Sequence, residues 1–129
     1  MTTEERAAQI WLLLTFAASV RMTITYGRLA QLVGGMPPAL GRWMEPIQSY
    51  CIINDLPPLT VLVVSDIDGM PGSGFVGASD VPEAQARVFR HDWFVMKHVP
   101  TPAELADAVA RCPSNGIRSA GDDVGRVNG

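Results

Sequence analysis

Few residues of this chain carry groups that could do chemistry, and their spacing decides what that chemistry is. There are two thiols, Cys51 and Cys112, and two imidazoles, His91 and His98. A thiol becomes a nucleophile only where a neighbour lowers its pKa, and no histidine lies near Cys51 in the sequence. Two cysteines supply neither a disulfide scaffold nor a four-thiolate zinc site. His91-Asp92 pairs an imidazole with a carboxylate but lacks the companion ligands of a metal centre, and it reads as a helix-surface pair. Asp66-x-Asp68 has the hard oxygens that Mg²⁺ or Ca²⁺ takes; followed by Gly69, it reads first as a turn. The glycines of Met70-Pro71-Gly72-Ser73-Gly74-Phe75 could let backbone amides approach a phosphate. The segment matches neither the P-loop nor the dinucleotide fingerprint, however, and no lysine follows it. Cys51, Cys112, Trp11, Trp43 and Trp93 read as packing residues. No set of acid, base and nucleophile emerges, so the chain reads as a non-enzymatic protein with no cofactor and no metal.

What remains is recognition chemistry, and charge limits it. The chain has 129 residues and a formal net charge of −3, with 47% hydrophobic and 18% charged residues. That balance excludes disorder along the whole length and strong non-specific binding to nucleic acid. The charge is uneven. Residues 1–54 carry Arg6, Arg21, Arg28 and Arg42 against three glutamates, a net of +1. Residues 55–112 carry a net of −4, and residues 113–129 are neutral. Two arginines, Arg28 and Arg42, are placed to meet phosphate. Arg87 and Arg90 read as partners of Asp92 on a helix surface.

The elements that must position these residues follow from periodicity and end signals. Residues 3–20 read as a helix capped by Thr3, apolar on every side at Ile10-Trp11-Leu12-Leu13-Leu14. Such a helix is central to the core or shared with a partner. It is too short to span a membrane, and Glu4 and Glu5 stand where a signal peptide needs basic residues. The expected location is the cytoplasm. Thr25 caps a two-turn helix with Leu29, Leu32 and Val33 on one face, stopped by Gly34-Gly35. A third helix begins near Pro38 and carries Leu40, Trp43, Met44, Ile47 and Cys51 at helical spacing, with Pro46 expected to kink or restart it. Asn54 and Asp55 end it.

The β-branched run Leu59–Val64 reads as a strand, Asp66–Gly69 as a hairpin turn, and Met70–Val76 as an irregular return strand. Residues 82–93 read as a helix capped by Asp80, and Trp93–Met96 as its extension or an edge strand. Thr101-Pro102-Ala103-Glu104 is a capping box that opens a last helix ending near Cys112-Pro113.

Helix, short helix, turn, helix and hairpin is the order of a winged helix-turn-helix, with the helix at 38–52 in the recognition position and 59–76 as the wing. The residues go further than the order. Thr23-Ile24-Thr25-Tyr26-Gly27-Arg28-Leu29-Ala30 resembles the start of the DNA-binding domain of O6-alkylguanine-DNA alkyltransferases and alkyltransferase-like proteins. Ala39-Leu40-Gly41-Arg42-Trp43-Met44 is similar to the family's glycine-bearing recognition helix. Pro57-Pro58-Leu59 through Val63-Val64, then Gly69 to Phe75, is similar to its strand, turn and glycine-aromatic segment. The resemblance covers about residues 5–76. It implies a tyrosine at Tyr26 that contacts phosphate and base. It also implies a family arginine whose place falls on or near Glu45. The family's alkyl transfer needs a Pro-Cys-His-Arg element in the strand after the recognition helix. Leu59–Val64 holds no cysteine and no histidine, which excludes that reaction. Alkyltransferase-like proteins also lack the cysteine and bind alkylated DNA by base flipping.

The expected protein is thus a small α+β domain over residues 1–112, of winged helix-turn-helix type with two added C-terminal helices, followed by a disordered tail at 113–129. The expected function is non-catalytic binding of duplex DNA through Tyr26, Arg28, Arg42, Gln48 and Ser49. The alternative is a protein-interaction module that reuses the same fold and forms a homo- or hetero-oligomer. The acidic balance, Glu45 and the oily first helix favour that alternative.

Overall fold

A computed structural model describes residues 1–71, 80–94 and 99–114. Among them the chain is mostly helical, with one small parallel sheet. The first helix, α1, spans Thr3–Ser19. Its cap is Thr2 rather than Thr3. A capping box needs an acceptor three residues on, and that residue is Glu5 from Thr2 but Arg6 from Thr3. The Thr2 hydroxyl accepts from the Glu5 amide at 3.0 Å, and the Thr2 amide donates to the Glu5 carboxylate at 2.7 Å. Donation from the Thr2 amide, with the Thr2 hydroxyl beside it, lowers the Glu5 carboxyl from its ordinary value.

Strand β1, Ile24–Thr25, leads directly into α2, Tyr26–Val33. The Thr25 hydroxyl caps α2 by accepting from the Arg28 amide, and Gly34 ends it in the left-handed conformation at φ 75°. The Arg6 side chain donates to the Val33 carbonyl and lies 4.9 Å from the centre of the Trp43 ring. One cation thus satisfies an orphan carbonyl at the end of α2 and stacks on an aromatic face. Gly35 lies so close under the same indole that a Cβ there would overlap the ring.

A 3₁₀ turn at Pro37–Ala39 precedes α3, Leu40–Ile53. The helix runs through Pro46 without restarting. Pro46 removes one donor, but α3 is packed against α1 on one side and α5 on the other, and that packing holds its course.

The run after α3 corrects the expectation of a wing strand. Leu59–Leu62 is a 3₁₀ helix, and only Val63–Val64 is extended, as β2. It pairs parallel with β1, Ile24 opposite Val63 and Thr25 opposite Val64. β1 cannot grow because Thr25 is already committed to capping α2, so β2 finds a partner for two residues only. The preceding apolar residues are buried against α1, α3 and α4, where no strand is available to hydrogen-bond them. A tight helical turn satisfies part of their backbone instead, as Val61 N–H donates to Pro58 O at 2.9 Å. The turn at Asp66–Gly69 is as expected: Ser65 N–H donates to Met70 O at 2.8 Å, and Gly69 has φ 70°. The return strand expected beyond Pro71 lies outside the described residues.

Helix α4 spans Val81–Arg90, capped by Asp80, and α5 spans Pro102–Arg111, opened by the Thr101–Glu104 capping box. α4 ends three residues before the expected Trp93. That ring folds back instead, and its Nε1–H donates to the Val88 carbonyl at 3.0 Å. Residues 95–98, and with them the expected edge strand, lie outside the described residues. Arg90 pairs with Glu83 at 3.6 Å, and Asp92 accepts from the Phe94 amide.

The core lies where α1, α3 and α5 pack against one another, with Ile10, Leu14, Leu40, Met44, Ile47 and Leu105 wholly buried. Edge-on aromatic contacts run from Tyr50 through Trp11 to Trp93, each with ring centres 5.6 Å apart, and on to His91 at 4.4 Å. No described helix is long and apolar enough to cross a membrane.

Candidate nucleic-acid interface

The five residues expected to touch DNA separate into two groups. Tyr26, Arg28 and Arg42 lie at helix starts. Tyr26 is the first residue of α2 and is half-buried against the core. Arg28 is exposed two residues further on, and its Nη1 donates to Gln31 at 3.4 Å. Arg42 is exposed in the first turn of α3. The helix dipole favours negative charge at such starts, while the Gly27 and Arg28 amides of α2 and the Leu40 amide of α3 already donate within the protein.

Gln48 and Ser49 form the other group, and they face inward. Gln48 is 3% exposed and Ser49 wholly buried. Gln48 Nε2 donates to the Ser114 carbonyl at 3.2 Å, and the Ser49 and Ser114 hydroxyls are 2.9 Å apart. The Ser114 amide donates to the Glu45 carboxylate at 3.3 Å, and its hydroxyl to the Glu45 carbonyl at 3.3 Å. Residue 114 is thus clasped by the middle of α3, residues 45–49. This corrects both the assignment of Gln48 and Ser49 as surface contacts and the placing of Ser114 in a loose tail; residues 115–129 lie outside the described residues. Glu45, on or near which the resemblance expects an arginine, is half-buried and belongs to the same clasp. Buried polar side chains need partners, and these have found them inside the fold.

One contact was not legible beforehand. The Asp66 carboxylate accepts from the Gly27 amide at 3.3 Å, across 39 residues. It sits at the start of α2, where a phosphate oxygen would otherwise meet that amide. The Asp66-x-Asp68 pair therefore serves structure: Asp66 holds α2, and Asp68 accepts from the Met70 amide at 2.9 Å. No group of three or more metal-ligating side chains occurs among the described residues.

The remaining reactive groups are quiet. Burial pushes the Cys51 thiol up to about 12, so it is protonated and inert at neutral pH. Cys112 is half-buried at the end of α5. A cleft of about 320 Å³ between α3 and α5 is lined by Tyr50, Asn54, Glu104, Asp107 and Arg111. Several of its polar groups already bond to the protein: Glu104 caps α5, Asp107 pairs with Arg111 at 3.3 Å, and Asn54 donates to the Tyr50 carbonyl. Burial, with Glu104 nearby, raises the Tyr50 hydroxyl above its ordinary value.

Comparison with protein-family models, with curated proteins and with solved structures yields no match.

Proposed function

We propose that this chain is a non-catalytic DNA-binding protein of winged-helix, alkyltransferase-like type. The observation that carries the reading is the succession of α2 and α3 across the short connection at residues 34–39, with an exposed arginine in the first turn of each helix. The contact set is Tyr26, Arg28 and Arg42. It is small, so affinity is low and depends strongly on salt. Phosphate contacts from Arg28 and Arg42 position the duplex, and Tyr26 stands beside the start of α2 to meet a sugar, a base or a flipped nucleotide. Gln48 and Ser49 are buried and cannot reach a groove, so the contacts come from the start of α3, where Arg42 is exposed.

The test is fluorescence anisotropy of a labelled duplex of about 20 base pairs, with and without one O6-methylguanine, over a salt series. Binding weakens as salt rises, and Arg28→Ala and Arg42→Ala each lower the slope by about one unit. A preference for the modified duplex places the protein with the alkyltransferase-like group. Asp66→Asn, which removes a negative charge from the start of α2, tightens binding. Absence of binding to either duplex at low salt, or an unchanged slope in both arginine variants, overturns the reading.

A further inference from the structure

The inner face of α1 is filled, yet its outer face is also apolar. Leu12 is 55% exposed and Phe16 62%, with Val20 and Met22 exposed beyond them and Leu13 half-buried beside them. A helix that is apolar all round is ordinarily covered all round. The charges around this stripe are antisymmetric. Glu5 is exposed near one end of α1 and Arg21 just past the other, each eight residues from Leu13. Arg21 makes no ion pair among the described residues.

We propose that the outer face of α1 is a homodimer interface in which two copies of the helix pack antiparallel about Leu12 and Leu13. A two-fold interface uses one patch twice, so the patch must complement itself. In an antiparallel pair centred there, Leu12 and Leu13 meet their own copies, and Phe16 lies along the aliphatic stem of the partner's Gln9. Each Glu5, roughly 12 Å from Leu13 at 1.5 Å per residue, lies level with the end of the partner's α1, just past which Arg21 stands. A parallel pair would set Glu5 against Glu5 and Arg21 against Arg21. The two helix dipoles also oppose favourably in the antiparallel arrangement. Nothing in this pairing depends on DNA. If both readings hold, the dimer doubles the arginines available to a duplex.

The experiment is sedimentation equilibrium of the full chain, without DNA, between about 1 and 200 µM, since a stripe this narrow gives an interface at the weak end of the range. The expected mass rises from 13.9 kDa toward twice that value with concentration. Phe16→Glu raises the dimer Kd by at least about tenfold, because it buries a charge at the interface. That residue is exposed in the protomer, so its melting temperature reports an unchanged fold. Glu5→Arg and Arg21→Glu each weaken the dimer, and the two together restore it. A monomer at every concentration, a dimer indifferent to Phe16→Glu, or a charge-swapped double variant no tighter than the single ones overturns the proposal. Failure of DNA binding leaves these outcomes unchanged.

Discussion

Helices α1 and α3 invert the usual relation between composition and exposure. α1 is built from Leu, Ile, Phe and Trp, and it leaves Leu12 and Phe16 in solvent. α3 carries Glu45, Gln48 and Ser49 in its middle, and it buries the last two. The difference lies in what each helix has beside it. α3 lies between α1 and α5 and then receives Ser114, whose backbone and hydroxyl answer its polar groups. α1 has neighbours on its inner side, and no described residue covers its outer stripe. Burial follows supply of partners rather than polarity: a polar group can be buried cheaply when a matching group arrives, and an apolar one stays exposed when nothing does.

The contrast can be broken or sharpened by substitution. The largest effect is expected at the thiol inside α3. With its value near 12 against an ordinary 9.0, Cys51 should react with iodoacetamide at pH 8 about a thousandfold more slowly than an open thiol, each pH unit being a factor of ten in thiolate. Mass spectrometry of the partly alkylated chain should therefore find the label on Cys112. The raised value also has a sign for stability. Its contribution is intact below about pH 9 and is lost as the pH climbs toward 12. Cys51→Ala should remove that part of the alkaline loss in a denaturation series.

Next come the two faces of α1. Leu14→Ala empties the core and should cost about 2–5 kcal/mol in urea unfolding, whereas Leu12→Ala should stay within about 0.5 kcal/mol at concentrations where the chain is monomeric. Equal costs would mean that the outer face is covered within the protomer. The middle and the start of α3 give a smaller contrast. Gln48→Ala leaves the Ser114 carbonyl without its buried donor and should cost about 1–3 kcal/mol, while exposed Arg42→Ala should cost about 0.5 kcal/mol or less. Gly35→Ala drives a methyl into the Trp43 ring that Arg6 covers, and about 1–3 kcal/mol is the expected loss. A cost near zero there would mean that the indole swings away freely. Ser49→Ala, which removes one hydroxyl pair, should be the mildest of the buried changes, at about 1 kcal/mol.

Much of the scaffold was legible from residues alone. Thr25 and Gly34 bound α2, Asp80 starts α4, and the Thr101–Glu104 box starts α5, as their types imply. The candidate site was legible only in part. Arg28 and Arg42 emerge as exposed cations, since each stands in the first turn of its helix, on a side turned away from the buried residues. Gln48 and Ser49 sit on what looks like a polar face, and no local pattern announces that a serine 65 or 66 residues away will close over it. Asp66 looks like a turn residue, which it is, and its second duty to the Gly27 amide depends on the parallel pairing of β1 with β2.

The caps of α2, α4 and α5 were determined by the sequence by itself, because a capping hydrogen bond closes within three or four residues. The absence of a cysteine and a histidine from Leu59–Val64 likewise needed no structure. Tertiary structure decided which faces those helices show. It turned the β-branched run into a 3₁₀ helix with a two-residue strand, moved Gln48 and Ser49 inside, and left Leu12 and Phe16 outside. The first two outcomes depend on groups dozens of residues away in the chain and the third on the lack of one, and such contacts are specified only when the whole core packs at once.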